Sequence, residues 1–106
     1  MKPSIGRIVH YVLNQQDVEQ IERRRVRNAG RGPNWPAGAQ AHVGNPVSVG
    51  ERVPMIICVV WPNEHGPNFD GVNGQVILDG NDSLWITSAK EGTEPGTWHW
   101  PENVTK

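Results

Sequence analysis

The pattern of apolar and polar residues predicts a strand near the start of the chain and a helix directly after it. Residues 5 to 13 carry apolar side chains on both faces of an extended segment, which predicts a strand buried on two sides. Asn14 and Asp17 have the spacing of a helix capping box. Because apolar residues then recur at helical spacing, we predict a helix over residues 15 to 27.

The second half of the chain predicts strands. Residues 53 to 61 form a continuous apolar run, which is typical of a central strand covered on both faces. Two shorter segments, 72 to 78 and 84 to 88, flank an Asp-Gly-Asn-Asp sequence at residues 79 to 82, and an Asp-Gly step between apolar segments predicts a hairpin. Residues 97 to 100 supply a further strand.

These elements predict the fold class. Five strands with one helix after the first indicate an α+β domain, built on a small, curled, barrel-like antiparallel sheet. Residues 28 to 52 are rich in Gly and Pro and show no period, which predicts a loop of about 25 residues. Loops of this length are usually functional or disordered. One domain is expected to span residues 1 to 106.

Composition and charge narrow the partners. The net charge of -1 argues against a protein that binds a DNA or RNA polymer. The longest apolar run is far shorter than the roughly 20 residues that cross a bilayer, so no membrane contact is expected. The first residues lack the apolar stretch of a secretory signal, and the single Cys58 forms no internal disulfide. We therefore expect a cytoplasmic protein with Cys58 as a small core residue.

Motifs for metal binding or catalysis are absent from the sequence. The four histidines are too widely spaced to indicate a zinc site, and no second cysteine accompanies Cys58. The sequence contains no glycine-rich phosphate loop and no serine in a nucleophile-elbow context. The prediction is a binding protein and not an enzyme, with no catalytic residues, no metal and no cofactor.

Indole and guanidinium side chains are the unusual feature of the composition. Five of its 106 residues are Trp, and several Arg residues lie on the predicted helix. Bases stack on indole planes, and Arg holds phosphate through a bidentate fork. These properties suggest a nucleotide-binding site. The candidate ligand-binding residues are Arg24, Arg25, Arg27, Trp35, His42, Trp85, Thr87, Trp98, His99 and Trp100.

Each of these residue types also has a structural interpretation. Since Phe and Tyr occur once each, Trp is the natural core filler, and we expect Trp61 and one of Trp98 or Trp100 in the core. The Arg residues of the helix are equally typical of a solvated face. Trp85 and Thr87 alternate with Leu84 and Ile86, so that one of these two pairs is expected to look outward.

Four segments of the sequence carry a resemblance to a widespread family of short phage and prophage proteins: Gly6-Arg7-Ile8-Val9-His10-Tyr11, residues 40 to 45, residues 72 to 82, and Pro95-Gly96-Thr97-Trp98-His99-Trp100-Pro101-Glu102. The family resembles the phage-encoded sponges that sequester cyclic nucleotides made by host immune systems such as CBASS. The resemblance implies an immune-evasion protein of the host cytoplasm. It would capture cyclic di- or trinucleotides without cleaving them.

A cyclic dinucleotide needs a larger pocket than so small a domain encloses, which predicts a homo-oligomer, a dimer or a tetramer, with the same Arg and Trp presented twice. Two other function classes remain open. One is a phage interaction module that binds a host protein or a virion component through an aromatic surface. The other is a nucleotide-cleaving enzyme that uses Asp79, Asp82 and His99.

Overall fold

The computed structural model describes residues 2–25, 42–62 and 69–102. Within these residues, one helix and five strands follow in the order β1, α1, β2, β3, β4, β5. Their bounds are β1 Ile8–Val12, α1 Gln15–Arg24, β2 Arg52–Pro62, β3 Phe69–Ile77, β4 Ser83–Ala89 and β5 Trp98–His99. All neighbouring strands pair antiparallel in the order β4-β3-β2-β1-β5. The predicted α+β fold with one helix after the first strand is confirmed.

The two outermost strands of the sheet approach each other. Glu91, two residues after β4, forms a parallel bridge with Trp98 of β5. The Trp98 N–H donates to the Lys90 carbonyl at 3.0 Å, and the Gly92 N–H donates to the Trp98 carbonyl at 2.8 Å. Because this contact joins opposite ends of the strand order, the sheet is curled and barrel-like, as the sequence predicts.

Helix α1 is fixed to the concave inner face of the sheet. The predicted capping box is present, since the Asp17 N–H donates to the Asn14 side chain and the Asn14 N–H donates to the Asp17 carboxylate. The same carboxylate accepts the Tyr11 hydroxyl of β1 at 2.6 Å. Ile21, one turn further along, is fully buried. The helix ends at Arg24, before the predicted residue 27, which lies outside the described residues.

The inner face of the sheet forms the hydrophobic core. All five strands or the residues next to them contribute, and each contributes alternate positions, as period-two patterning requires. The core residues are Val9, Tyr11, Leu13, Ile21, Val53, Met55, Ile57, Val72, Val76, Leu78, Leu84, Ile86, Ala89 and Trp98.

The outer face departs from the sequence expectations. β2 is a central strand, but the prediction that both faces are covered is wrong, because Ile56 is 37% exposed. Cys58 is exposed and not a core residue, since a register shift between Ile57 and Val59 places it in a bulge. On β1 the outer face is open at Ile8, which is 56% exposed, whereas Val12 on the same face is 3% exposed, so the predicted burial on two sides holds only at the end of the strand.

The predictions for the tryptophans have different outcomes on the two faces of the sheet. Trp98 is fully buried, as expected for one of the two C-terminal indoles, whereas the expectation that Trp61 is a core residue is wrong. Trp61 is 45% exposed on β2, where its Nε1 donates to the Asn73 side-chain oxygen at 2.9 Å.

The β3–β4 hairpin follows the prediction. The Leu78 N–H donates to the Asp82 carbonyl across the turn, and Gly80 has a φ of +115°, a backbone conformation that favours glycine. Along β4, Leu84 and Ile86 are buried, so that the other pair, Trp85 and Thr87, looks outward.

Part of the predicted long loop is described. Residues 42 to 51 form no helix or named strand, in agreement with the expectation, and residues 28 to 41 lie outside the described residues. None of the helical structure seen in the described ranges has the length and apolar character needed to cross a bilayer.

Candidate functional site

Two guanidinium groups and one imidazole converge on one buried carboxylate at the turn between β3 and β4. The Asp82 side chain is 1% exposed. Its Oδ1 lies 3.3 Å from Arg24 Nη2 and 3.2 Å from His42 Nδ1, and its Oδ2 lies 3.5 Å from Arg25 Nε. We call Arg24, Arg25, His42 and Asp82 the Asp82 cluster. It unites three of the predicted ligand-binding residues.

Local sequence positions each member of the cluster. Arg24 is the last residue of α1 and Arg25 is its C-cap, where positive side chains interact favourably with the helix dipole. Asp82 directly precedes β4, and the Ser83 N–H donates to its Oδ1 at 2.9 Å. Arg24 Nη2 also donates to the Ser83 carbonyl at 3.1 Å. The helix end is therefore fastened to the start of β4.

The segment 42–45 encloses the cluster from a third side. The Val43 N–H donates to the Asn81 side chain at 2.7 Å, and the Asn81 N–H donates back to the Val43 carbonyl at 3.0 Å. Between these bonds and Arg25, Gly44 leaves no room for a β-carbon, which would collide with the Arg25 guanidinium and the Asp79 carbonyl. Only glycine permits this close approach.

The cluster carries more positive than negative charge. In the described part of the chain, two guanidinium groups and an imidazole lie within ion-pair distance of a single carboxylate. Arg24 Nε and Arg25 Nη2 are buried and have no hydrogen-bond partner among the described residues. A buried donor without an acceptor costs about 1–3 kcal/mol. The excess of positive charge, and not these buried N–H groups, is what favours a further anion at the exposed side of the cluster.

Solvent reaches the cluster through two of its members. The Arg24 side chain is 29% exposed and that of His42 is 25% exposed, whereas Arg25 and Asp82 are each at 1%. An incoming anion thus meets Arg24 and His42 first. Arg25 and Asp82 are buried behind them, and the Asp82 carboxylate holds the Arg24 guanidinium and the His42 imidazole in place.

Trp85 and Thr87 lie close to this cluster along β4, on the outer face. The Trp85 indole is 63% exposed. Trp85 lies two residues after Ser83, whose carbonyl accepts a hydrogen bond from Arg24. Two residues span about 7 Å along a strand. Gln75, directly opposite Trp85 in the register, is exposed as well. An indole face and an amide are therefore available across the edge of the sheet from Arg24.

The C-terminal candidates lie elsewhere. Trp98 is fully buried, and its Nε1 donates to the Ala89 carbonyl at 3.1 Å, so its ring is part of the core and offers no free face. Trp100 packs edge-on against it at 5.6 Å between ring centroids, and the Arg7 guanidinium lies 5.1 Å from the centre of the Trp100 ring. These contacts are typical of packing and not of an open ligand site.

His99 faces the other side of the sheet from these indoles. Its ring meets the His10 ring edge-on at 5.8 Å, and both of its nitrogens are buried with no hydrogen-bond partner in the described residues. Arg27 and Trp35, the remaining candidates, lie outside the described residues.

Sequence reasoning missed two features of the site. Asp82 was expected in the hairpin turn and as a catalytic alternative, not as the shared partner of the arginines. Arg25 was expected on a solvated helix face and is fully buried. No sequence signal links the two residues, because 57 positions separate them and the pairing forms only when the sheet curls.

Comparisons with protein-family models, with curated proteins and with solved structures find no match to this chain. Among the described residues, no three metal-ligating side chains come together. The Asp82 cluster and the residues beside it are therefore the features of the molecule that indicate a function.

Proposed function

We propose that this protein captures a phosphate-bearing nucleotide, a cyclic di- or trinucleotide immune signal, and holds it without cleaving it. The main support for the proposal is the excess of positive charge in the Asp82 cluster, where two guanidinium groups lie beside a single carboxylate and the Arg24 side chain is 29% exposed. Guanidinium groups in this condition suit a phosphate, which accepts paired hydrogen bonds from them.

Each cluster residue has a part in phosphate binding. Arg24 and His42 are the exposed members and contact the phosphate first. Asp82 holds Arg24 through Nη2, so the side chain is already ordered and loses little conformational freedom on binding. Arg25 adds a buried positive charge behind the site, where attraction is less screened than at the surface.

The base is assigned to the outer face of β4. The exposed Trp85 indole offers a stacking plane, and base stacking on an aromatic side chain contributes about 1–3 kcal/mol. Gln75, opposite Trp85, both donates and accepts hydrogen bonds, as recognition of a base edge requires. Thr87 supplies a hydroxyl on the same face. The ligand would thus wrap around the edge strand β4.

The resemblance to phage proteins supplies the biological setting of the proposal. A phage protein that sequesters an immune signal acts in the host cytoplasm, and sequestration needs binding without turnover. Two copies of the chain would present two clusters and two indoles to a ligand with two phosphates and two bases.

Isothermal titration calorimetry with cyclic di- and trinucleotides tests the proposal. We expect Arg24→Ala to weaken binding by at least tenfold. Arg23→Ala is the matched control, because Arg23 is the exposed neighbour on the same helix and has no ion pair to Asp82. Trp85→Ala is expected to weaken binding as well, whereas Trp61→Ala, on the same face, leaves it unchanged.

Recovery of the ligand distinguishes capture from catalysis. After incubation, denaturation and chromatography, an intact cyclic nucleotide supports the proposal, and a linear product would replace it with the enzyme alternative. If no nucleotide binds and a host or virion protein is recovered in stoichiometric amount, the interaction-module alternative takes its place. Equal affinity of the Arg24→Ala and wild-type proteins would remove the Asp82 cluster from the site.

A further inference from the structure

The outer face of the sheet presents an uncharged row of residues that is largely apolar. Ile8 of β1 is in register with Ile56 of β2, Ile56 with Gln75 of β3, and Gln75 with Trp85 of β4. Ile8, Ile56 and Trp85 are 56%, 37% and 63% exposed. Three of the four neighbouring strands therefore carry a large apolar side chain in this row, with Gln75 on the fourth, on the face that α1 does not cover.

The row beside it has the same uncharged character. It contains one residue from each strand. Three are in register on β5, β1 and β2, and the other two are in register with each other on β3 and β4. These are His99, His10, Pro54, Ile77 and Ser83. Ile77 is 45% exposed. Neither row contains Asp, Glu, Lys or Arg, and Arg52, at the start of β2, is paired with Glu102 at 3.6 Å.

The size of this face suits a weak interface, at the lower end of the range for protein contacts. A strand spacing of about 4.8 Å and a rise of about 3.3 Å per residue give β1 to β4 a flat area of roughly 500 Å². Projecting side chains increase the accessible area beyond the flat area. A standard interface buries about 800 Å² on each partner, and weaker interfaces bury less.

We infer that this outer face packs against a second copy of the chain. An uncharged face offers no charge pattern for a partner of opposite sign, and two identical uncharged faces meet without repulsion. Open sheet faces pack on each other at about 10 Å with interdigitated side chains. A two-fold axis near Ile56 would place Ile8 and Ile56 against the same two residues of the partner and leave Trp85 at the rim of the contact.

This inference does not depend on the proposed nucleotide site. Trp85 lies on the edge strand β4 at the end of the row, beside the Ser83 carbonyl that Arg24 binds. Ile56 lies in the interior of the row, and Ile8 lies at the end opposite to Trp85. A dimer centred on Ile56 therefore leaves the Asp82 cluster outside the interface.

Sedimentation equilibrium of the full chain at about 50 µM is the first test. We expect twice the 11.8 kDa mass of one chain for the wild type and the single-chain mass for Ile56→Glu. Ile5→Glu is the control, because Ile5 is 73% exposed in the turn before β1 and lies outside both rows. A tetramer that Ile56→Glu divides into smaller species also supports the inference.

Cys58 gives a second readout that uses the wild-type protein alone. It is the single cysteine, is exposed, and lies two residues from Ile56 on β2. We expect its reaction with a thiol reagent to slow as the protein concentration rises, and to be independent of concentration in Ile56→Glu. A single-chain mass for the wild type, or an Ile56→Glu protein as associated as the wild type, would overturn the inference. Arg24→Ala retains the dimer mass even if it loses nucleotide, which separates the two proposals.

Discussion

The two faces of the sheet are made of similar residues and differ in what covers them. On β2, Val53 and Met55 point inward and are buried, whereas Pro54 and Ile56, between and beside them, are exposed. The inner face is enclosed by the curl of the sheet and by Ile21 of α1. Alternation along a strand therefore assigns each residue to a face of the sheet, whereas other parts of the fold decide whether that face is covered.

The same contrast holds for charged groups. The Arg25–Asp82 pair has side chains that are each 1% exposed, and it joins the end of α1 to the start of β4. The Arg52–Glu102 pair of 3.6 Å has side chains that are 54% and 78% exposed. Exposed pairs contribute little to stability, whereas breaking a buried pair leaves a charge without compensation.

The largest expected effect concerns the two tryptophans that differ most in exposure. Trp98→Ala removes a fully buried indole and is expected to lower the free energy of unfolding by about 3–5 kcal/mol. Trp85→Ala, 63% exposed, is expected to change it by less than about 0.5 kcal/mol. Urea denaturation monitored by circular dichroism measures both. Equal losses for the two variants would contradict the difference between the faces.

A smaller effect is expected for the ion pairs. Asp82→Asn keeps the shape of the side chain but removes the charge that compensates Arg25, and we expect a loss of about 2–3 kcal/mol. Glu102→Gln, the matched change in the exposed pair, is expected to alter stability by less than about 0.5 kcal/mol. If both variants unfold at the same urea concentration as the wild type, the expected difference between the buried and the exposed ion pair is wrong.

The smallest effect is a dependence on pH from the inner face. Burial raises the pKa of Tyr11 well above its ordinary value of 10.0, and its hydrogen bond to Asp17 and the charge of Asp17 raise it further. Above pH 10 the hydroxyl ionises in the unfolded chain but not in the folded one. Stability is therefore complete below that pH and falls at higher pH, by up to about 1.4 kcal/mol per pH unit.

Absorbance at 295 nm follows this titration directly, because Tyr11 is the only tyrosine of the chain. The folded protein is expected to titrate at a higher pH than the urea-unfolded protein. Tyr11→Phe is the control for stability, and its loss between pH 10 and 11 is expected to be smaller than that of the wild type. Coincident titrations in the two states would contradict the buried placement of the hydroxyl.

Much of the fold could be predicted because its signals are local. The Asn14 capping box and the Asp79-Gly80 turn each act within a few residues and form as expected. Period-two alternation correctly separates Leu84 and Ile86 from Trp85 and Thr87. These signals depend on backbone geometry that a short segment determines by itself.

What could not be predicted depends on contacts between distant segments. Cys58 sits in the most apolar run of the sequence and is exposed, because a bulge in β2 and the absence of a covering layer in the described structure decide its environment. Arg25 was indistinguishable from its neighbours on the helix until Asp82 was placed next to it. The nucleotide ligand and the phage resemblance remain predictions.

The strand order has a consequence for the way in which the chain assembles. β2, β3 and β4 are joined in sequence, whereas β5 pairs with β1 through Tyr11 and Trp98, which are 87 positions apart. Joining two such distant points restricts the unfolded chain more than forming a short hairpin does. On the β1 side, only two residue pairs in register offset this loss of conformational freedom. Burial of the Trp98 indole adds to these bonds, so one residue supports the contact of β5 with β1 and with the segment that follows β4.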